Sequence, residues 1–215
     1  MQLFLGQVGG LLATTGFLGV WFDLKGRRAL SDEVLAIANL SEDIKRAGVK
    51  CVTGRYLEEV AWVDLFKGAH ELDIMVAYGR TWRNTHQDRL QKAVQSGATV
   101  RVFLPDPGNE LMVQVLADRF GYNQEKVRQE IEDAIQFYRE LGSSMGKLVD
   151  VRLHAVDPVF SCYRFDGRAV ITLYSHARKR HTLVPTLVVG EGDLYTYVHD
   201  EIEALAAESK PTQWS

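Results

Sequence analysis

The chain has 215 residues, 46% of them hydrophobic and 25% charged, and a formal net charge of -3. That balance is ordinary for a globular protein. It excludes a molecule that binds nucleic acid through overall basic charge, so any anion site has to be a local patch.

Met1 to Phe22 carries no charged side chain. At about 1.5 Å rise per residue, a helix of that length just crosses a hydrocarbon core of roughly 30 Å. The exit reads Trp21-Phe22-Asp23-Leu24-Lys25-Gly26-Arg27-Arg28. Aromatics at the interface and basic residues beyond it predict an N-terminus outside and a domain on the cytoplasmic side of a bacterial inner membrane. A secretory signal peptide would want a basic start and a small-residue cleavage site. A buried core helix is the other alternative. The expected division is a transmembrane helix over 1–24, a helical linker over 25–54 and an α/β domain over 55–209.

Gly6, Gly10, Ala13 and Gly16 follow helical spacing, and Gly6 and Gly10 form a small-xxx-small pair that lets helix backbones approach. Gln7 and Thr14 lie beside that seam. A glutamine in hydrocarbon is costly unless it finds a partner or water. The expectation is a homo-oligomer in contact with membrane lipid, for instance a tetramer, with Gln7 and Thr14 along a narrow aqueous path.

Ser31-Asp32-Glu33 opens a helix that Gly48 ends. A second helix is expected over Leu57–Ala69. Leu72–Tyr78 reads as a buried strand, Trp82–Gln95 as a helix and Ala98–Leu104 as the next strand. This βαβ order implies parallel pairing. Helices follow over Glu110–Phe120 and Gln124–Leu141. Four strands are expected near Val149–His154, Phe160–Phe165, Ala169–Tyr174 and Thr182–Val189, with a tight turn at Asp166-Gly167. Asp193 is expected to cap a final helix through Ala207, and Pro211–Ser215 is expected to fray. The class is α/β with a mixed sheet. Cys51 and Cys162 have no metal-ligand spacing and read as reduced, structural thiols. Neither a metal nor a cofactor is expected.

Functional groups in such sheets gather at strand ends. After the first strand of the βαβ unit come Tyr78, Arg80, Trp82 and Arg83. Near the last strands come Arg164, Ser175, His176, Arg178, Lys179, Arg180 and His181. Basic residues alternating with aromatics suit a phosphorylated ligand whose bases stack. The plain alternative for Arg178–Arg180 is a solvated turn, and for Trp82 a packing role.

Three runs carry a family resemblance: Trp62-Val63-Asp64-Leu65-Phe66, Leu72-Asp73-Ile74-Met75-Val76-Ala77-Tyr78-Gly79 and Gly97-Ala98-Thr99-Val100-Arg101-Val102-Phe103-Leu104. With Val151-Arg152-Leu153-His154 and Ser161-Cys162-Tyr163-Arg164-Phe165-Asp166, the stretch Arg55–Ala207 resembles degenerate phospholipase-D-like domains. In bacteria these serve as ligand-sensing modules. Active members use a histidine nucleophile, a lysine two residues on and an aspartate five further. With the aspartate on Asp166, Val159 takes the histidine position and Ser161 the lysine position. Tyr174-Ser175-His176 falls where the family binds phosphate through Gly-Ser. The resemblance therefore implies a phosphate pocket without the catalytic pair, a binding domain rather than an enzyme.

A sensor domain on a membrane helix is similar in plan to bacterial anti-phage membrane effectors, including the Hailong type. That plan implies a pore gated by a nucleotide or a short single-stranded DNA, and a nucleotidyltransferase partner that makes the ligand. The alternative is a membrane-anchored nuclease or phospholipase of the same superfamily.

Overall fold

The structure, a computed structural model, describes residues 38–144, 146, 149–175 and 183–212. The chain divides into two units, Met1–Lys45 and Arg46–Ser215. No helix among the described residues is long and apolar enough to cross a membrane. The expected span, with Gly6, Gln7, Gly10, Ala13 and Thr14, lies outside the described residues.

A helix over residues 38–47, α1, stops at Gly48, whose φ of +78° favours glycine. The elements that follow are β1 (Val49–Thr53), α2 (Tyr56–Glu59), α3 (Trp62–Phe66), β2 (Glu71–Met75), α4 (Arg80–Gln95), β3 (Thr99–Pro105), α5 (Glu110–Phe120) and α6 (Gln124–Ser143). Then come β4 (Val149–His154), β5 (Phe160–Phe165), β6 (Arg168–Leu173), β7 (Thr186–Val189), α7 (Asp193–Glu208) and β8 (Lys210–Pro211). The eight strands form one sheet in the order β1-β7-β6-β5-β2-β3-β4-β8. β2, β3 and β4 run parallel, and the remaining pairs are antiparallel. The mixed α/β class and the β2–α4–β3 unit agree with the sequence reading.

Side chains alternate across the sheet with the strand period of two. Leu72, Ile74, Val100, Val102, Tyr163 and Phe165 face one core with Trp62, Trp82, Leu90 and Tyr138. Met75, Phe103, Cys162 and Ile171 face the other, against Val198 and Ile202 of α7. Asn109 and Asn123 cap α5 and α6, each side chain accepting from a backbone N–H of the first turn.

Four expectations are corrected. The helix expected over Leu57–Ala69 is two short ones, because Val60 is extended (ψ 131°), which turns Val60 and Trp62 both into the core. The stretch expected as linker contains β1, which pairs with β7. The expected frayed end contains β8, which pairs Lys210 with Leu153 and Pro211 with Arg152. Asp193 is also the first residue of α7, with Gly192 at the cap.

Candidate functional site

A cavity of about 550 Å³ opens at the carboxyl end of β2. That size is within the range of small-molecule sites. β2 delivers Ala77, Tyr78 and Gly79 to it, and α4 begins there with Arg80 and Thr81. β5 enters and β6 leaves at the same end, bringing Ser161 and Tyr163, and Thr172, Leu173, Tyr174 and Ser175. Arg119 and Phe120 end α5, Tyr122 follows them, and Tyr56 with Leu183, Val184 and Pro185 complete the wall.

Gly79 caps α4 in the left-handed conformation (φ +58°) and offers no side-chain cap. The unbonded N–H groups of a helix start attract anions, and here they lie beside the cavity. Arg80, with a side chain 59% exposed, is steadied by Glu130 at 2.9 Å, whose buried carboxylate also meets Lys126 at 2.9 Å. Arg119 is buried. It donates to the Pro158 carbonyl and to Asp157 at 2.8 Å, and its guanidinium lies 5.7 Å from the Tyr174 ring centroid. Tyr174 Oη accepts the Ala77 N–H at 3.0 Å and shares a hydrogen bond with Ser161 Oγ. Burial pushes the Tyr56, Tyr163 and Tyr174 hydroxyls up from their usual range, so they stay protonated at neutral pH. The site is thus aromatic and hydroxyl-rich inside, with a guanidinium and a helix start at its edge. It can stack a planar group and hold an anion next to it.

Of the residues singled out in the sequence, Tyr78, Arg80 and Ser175 line this cavity. Trp82 does not. It is 1% exposed and stacks on Tyr163 at 4.3 Å in the core. Arg83 is buried beside it, donating to the Tyr78 carbonyl at 3.0 Å and the Asp133 carbonyl at 3.3 Å. Arg164 lies toward the other end of the sheet, paired with Asp73. His176, Arg178, Lys179, Arg180 and His181 fall outside the described residues. Val159, at the position matched to the family histidine, is exposed, and Ser161 faces the cavity. Asp166 sits at the opposite end of β5, where its carboxylate accepts the His70 and Glu71 N–H groups.

Tyr56, Arg119, Phe120, Tyr122 and Tyr163 were not singled out from the sequence. Arg119 carried a readable signal: it continues the inward helical spacing of Met112 and Leu116. Tyr56 carried none, because its place depends on the break at Val60.

No protein-family model and no curated protein matches the sequence. The fold is similar to that of phosphatidylserine synthase from Haemophilus influenzae Rd KW20, with 17% identity, TM-score 0.50 and coverage of 69% of this chain and 35% of that one. Nuc from Salmonella typhimurium, a phospholipase D family member, matches at 12% identity and TM-score 0.42, covering 76% of this chain and 99% of that one. TrmBL2, an archaeal chromatin protein with a novel mode of DNA binding, matches at 13% identity and TM-score 0.48, covering 89% of this chain and 67% of that one.

The likeness to phosphatidylserine synthase is one of fold. This likeness corrects the expectation of a domain that is no enzyme. The fold is shared with an enzyme, a phosphatidylserine synthase, and fold by itself fixes neither activity nor its lack.

Proposed function

We propose that the phospholipase-D-like domain binds a nucleotide, or one end of a short single-stranded DNA, in the cavity at the carboxyl end of β2. The observation that carries this reading is the pairing of an aromatic interior with Arg80 and the start of α4 at its edge. A base stacks among Tyr56, Tyr78 and Phe120, and its phosphate meets Arg80. Equilibrium binding of deoxynucleoside monophosphates and of single-stranded DNA hexamers tests it. Arg80→Ala is expected to weaken binding about tenfold, and Tyr78→Ala by a similar factor. Unchanged affinity in both variants would remove the cavity as the site.

The proposal extends to the whole chain on the strength of its sequence. The uncharged segment Met1–Phe22 crosses the bacterial inner membrane, several copies associate along Gly6 and Gly10, and ligand binding gates ion flow past Gln7 and Thr14. Anti-phage defence, with a nucleotidyltransferase supplying the ligand, is the setting that fits this plan. Ion flux in vesicles is expected to fall in Gln7→Leu and Gly10→Leu. Flux unaltered by either change counts against the pore.

The fold favours a second reading, phosphodiester hydrolysis or transfer at the same cavity, as in a membrane-anchored nuclease or phospholipase. Turnover of bis(p-nitrophenyl) phosphate that disappears in Arg80→Ala would establish it.

A further inference from the structure

β1 and β7 form an edge ribbon with the cavity at one end. Tyr56, just beyond β1, and Leu183, Val184 and Pro185, just before β7, all line that cavity. The two strands are held close there. Val184 N–H donates to the Gly54 carbonyl at 2.7 Å, and a Cβ on Gly54 would lie 3.4 Å from Leu183.

At its other end the ribbon grips the chain that enters the domain. Gly190 N–H donates to the Gly48 carbonyl at 2.8 Å. A Cβ on Gly48 would lie 2.6 Å from the carbonyl oxygens of Gly190 and Glu191, and one on Gly192 would lie 2.6 Å from Arg46 O and Gly48 N. Backbones this close leave no space for a side chain, so glycine is required. Arg46 and Asp193 add a charge pair across the same clamp at 3.8 Å.

Between the two ends the pairing is irregular. Val49 faces Val189 while Cys51 faces Val188, so Lys50 is an extra residue in β1. Such a bulge is where a strand absorbs a change of register, and a one-residue change swaps the faces of every side chain. β1 is the edge strand, and Val52 is 70% exposed, so moving it breaks no pairing on its outer side.

We propose that the β1–β7 ribbon transmits occupancy of the cavity to the chain at Arg46–Gly48, through a change of register at the Lys50 bulge. The proposal rests on the ligand reading above, because the occupant is what displaces Tyr56 and Leu183. A ligand that favours one register shifts the balance by its difference in affinity for the two. The glycine clamp then passes the movement on without slack.

Hydrogen–deuterium exchange on the full-length protein in detergent tests this, with single-stranded DNA hexamers of random sequence as the probe. The probe is expected to slow exchange at Tyr56 and Val184, and to change exchange at Val189 and Gly190 at least threefold. In Gly192→Ala the cavity response is expected to remain and the clamp response to vanish. A wild-type response confined to the cavity overturns the ribbon and leaves the ligand reading standing. Absence of any response counts against the ligand reading, and the coupling is then decided without a probe. For that arm Leu183→Ala, at an exposed side chain, and Gly192→Ala are compared unliganded. Each is expected to change exchange at the opposite end of the ribbon threefold or more, and purely local changes overturn the proposal.

Discussion

Replacing Asp73 with asparagine is expected to cost about 3–5 kcal/mol of stability, the penalty for leaving a buried charge without its partner. Asp73 lies opposite Arg101 on β3 and opposite Arg164 on β5, so the three form one row across the sheet. Arg101 donates twice to the carboxylate, at 2.6 and 2.9 Å, and Arg164 Nε donates to its Oδ2. The Asp73 side chain is 1% exposed and that of Arg164 6%, so solvent cannot take over either charge. Burial works against the Arg164 charge, yet Asp73 outweighs it and holds the guanidinium above its usual value. Arg101 also reaches Glu203 of α7 at 2.6 Å, which ties that helix to the row. Thermal unfolding should show a Tm about 10 °C lower in Asp73→Asn. A loss below about 1 kcal/mol would mean the row is solvated. Replacing Asp73, Arg101 and Arg164 together with apolar residues of similar volume is expected to recover most of the loss.

Acidification is the second large effect. Burial, with the Arg89 charge beside it, lowers His86 to about 4, and burial lowers His154 to about 4 despite a hydrogen bond to the Val156 carbonyl. Both are neutral in folded and unfolded chains above pH 6.5. Between pH 6.5 and about 4 the unfolded chain takes up protons that the folded chain refuses, so stability falls as pH drops. The full loss approaches about 3 kcal/mol for each histidine. His86 sits among Trp62, Phe66 and Trp82, with ring centroids 4.9, 5.8 and 5.0 Å away. Arg89 donates to its Nδ1 at 2.9 Å, which leaves the proton on Nε2, and that nitrogen is buried without a partner. His86→Phe is therefore expected to keep neutral-pH stability within about 1 kcal/mol and to flatten the acid slope. Melting curves from pH 7 to 4.5 read this directly. Identical slopes in wild type and variant would contradict it.

The parallel core of the sheet was readable because its signals are local. β2 and β3 are apolar runs closed by turns, and α4 lies between them with its own period. α5 and α6 begin at Glu110 and Gln124, where the sequence placed them. β1 and β8 were not, because each is short, partly polar and held by a partner far away in sequence. Trp82 and Arg83 resembled ligand contacts by type and by following a strand. Their helical spacing with His86 and Leu90 places them on the buried face of α4 instead, and of the α4 residues singled out in the sequence Arg80 alone lines the cavity. Arg164 misled for another reason. Its partner Asp73 stands 91 residues away, and nothing near β5 announces it.

The two boundary strands of the sheet have a practical consequence. β8 is only Lys210 and Pro211, yet with Thr212, which bonds the Val151 carbonyl, it covers the outer rim of β4. Proline has no N–H to offer a further strand, and lysine resists stacking against copies of itself. Cutting the chain after Ser209 would bare a six-residue, half-apolar strand with its backbone unsatisfied. Such a truncated protein would keep its cavity residues and still clump, because β4 would be free to zip onto the same strand of its neighbours.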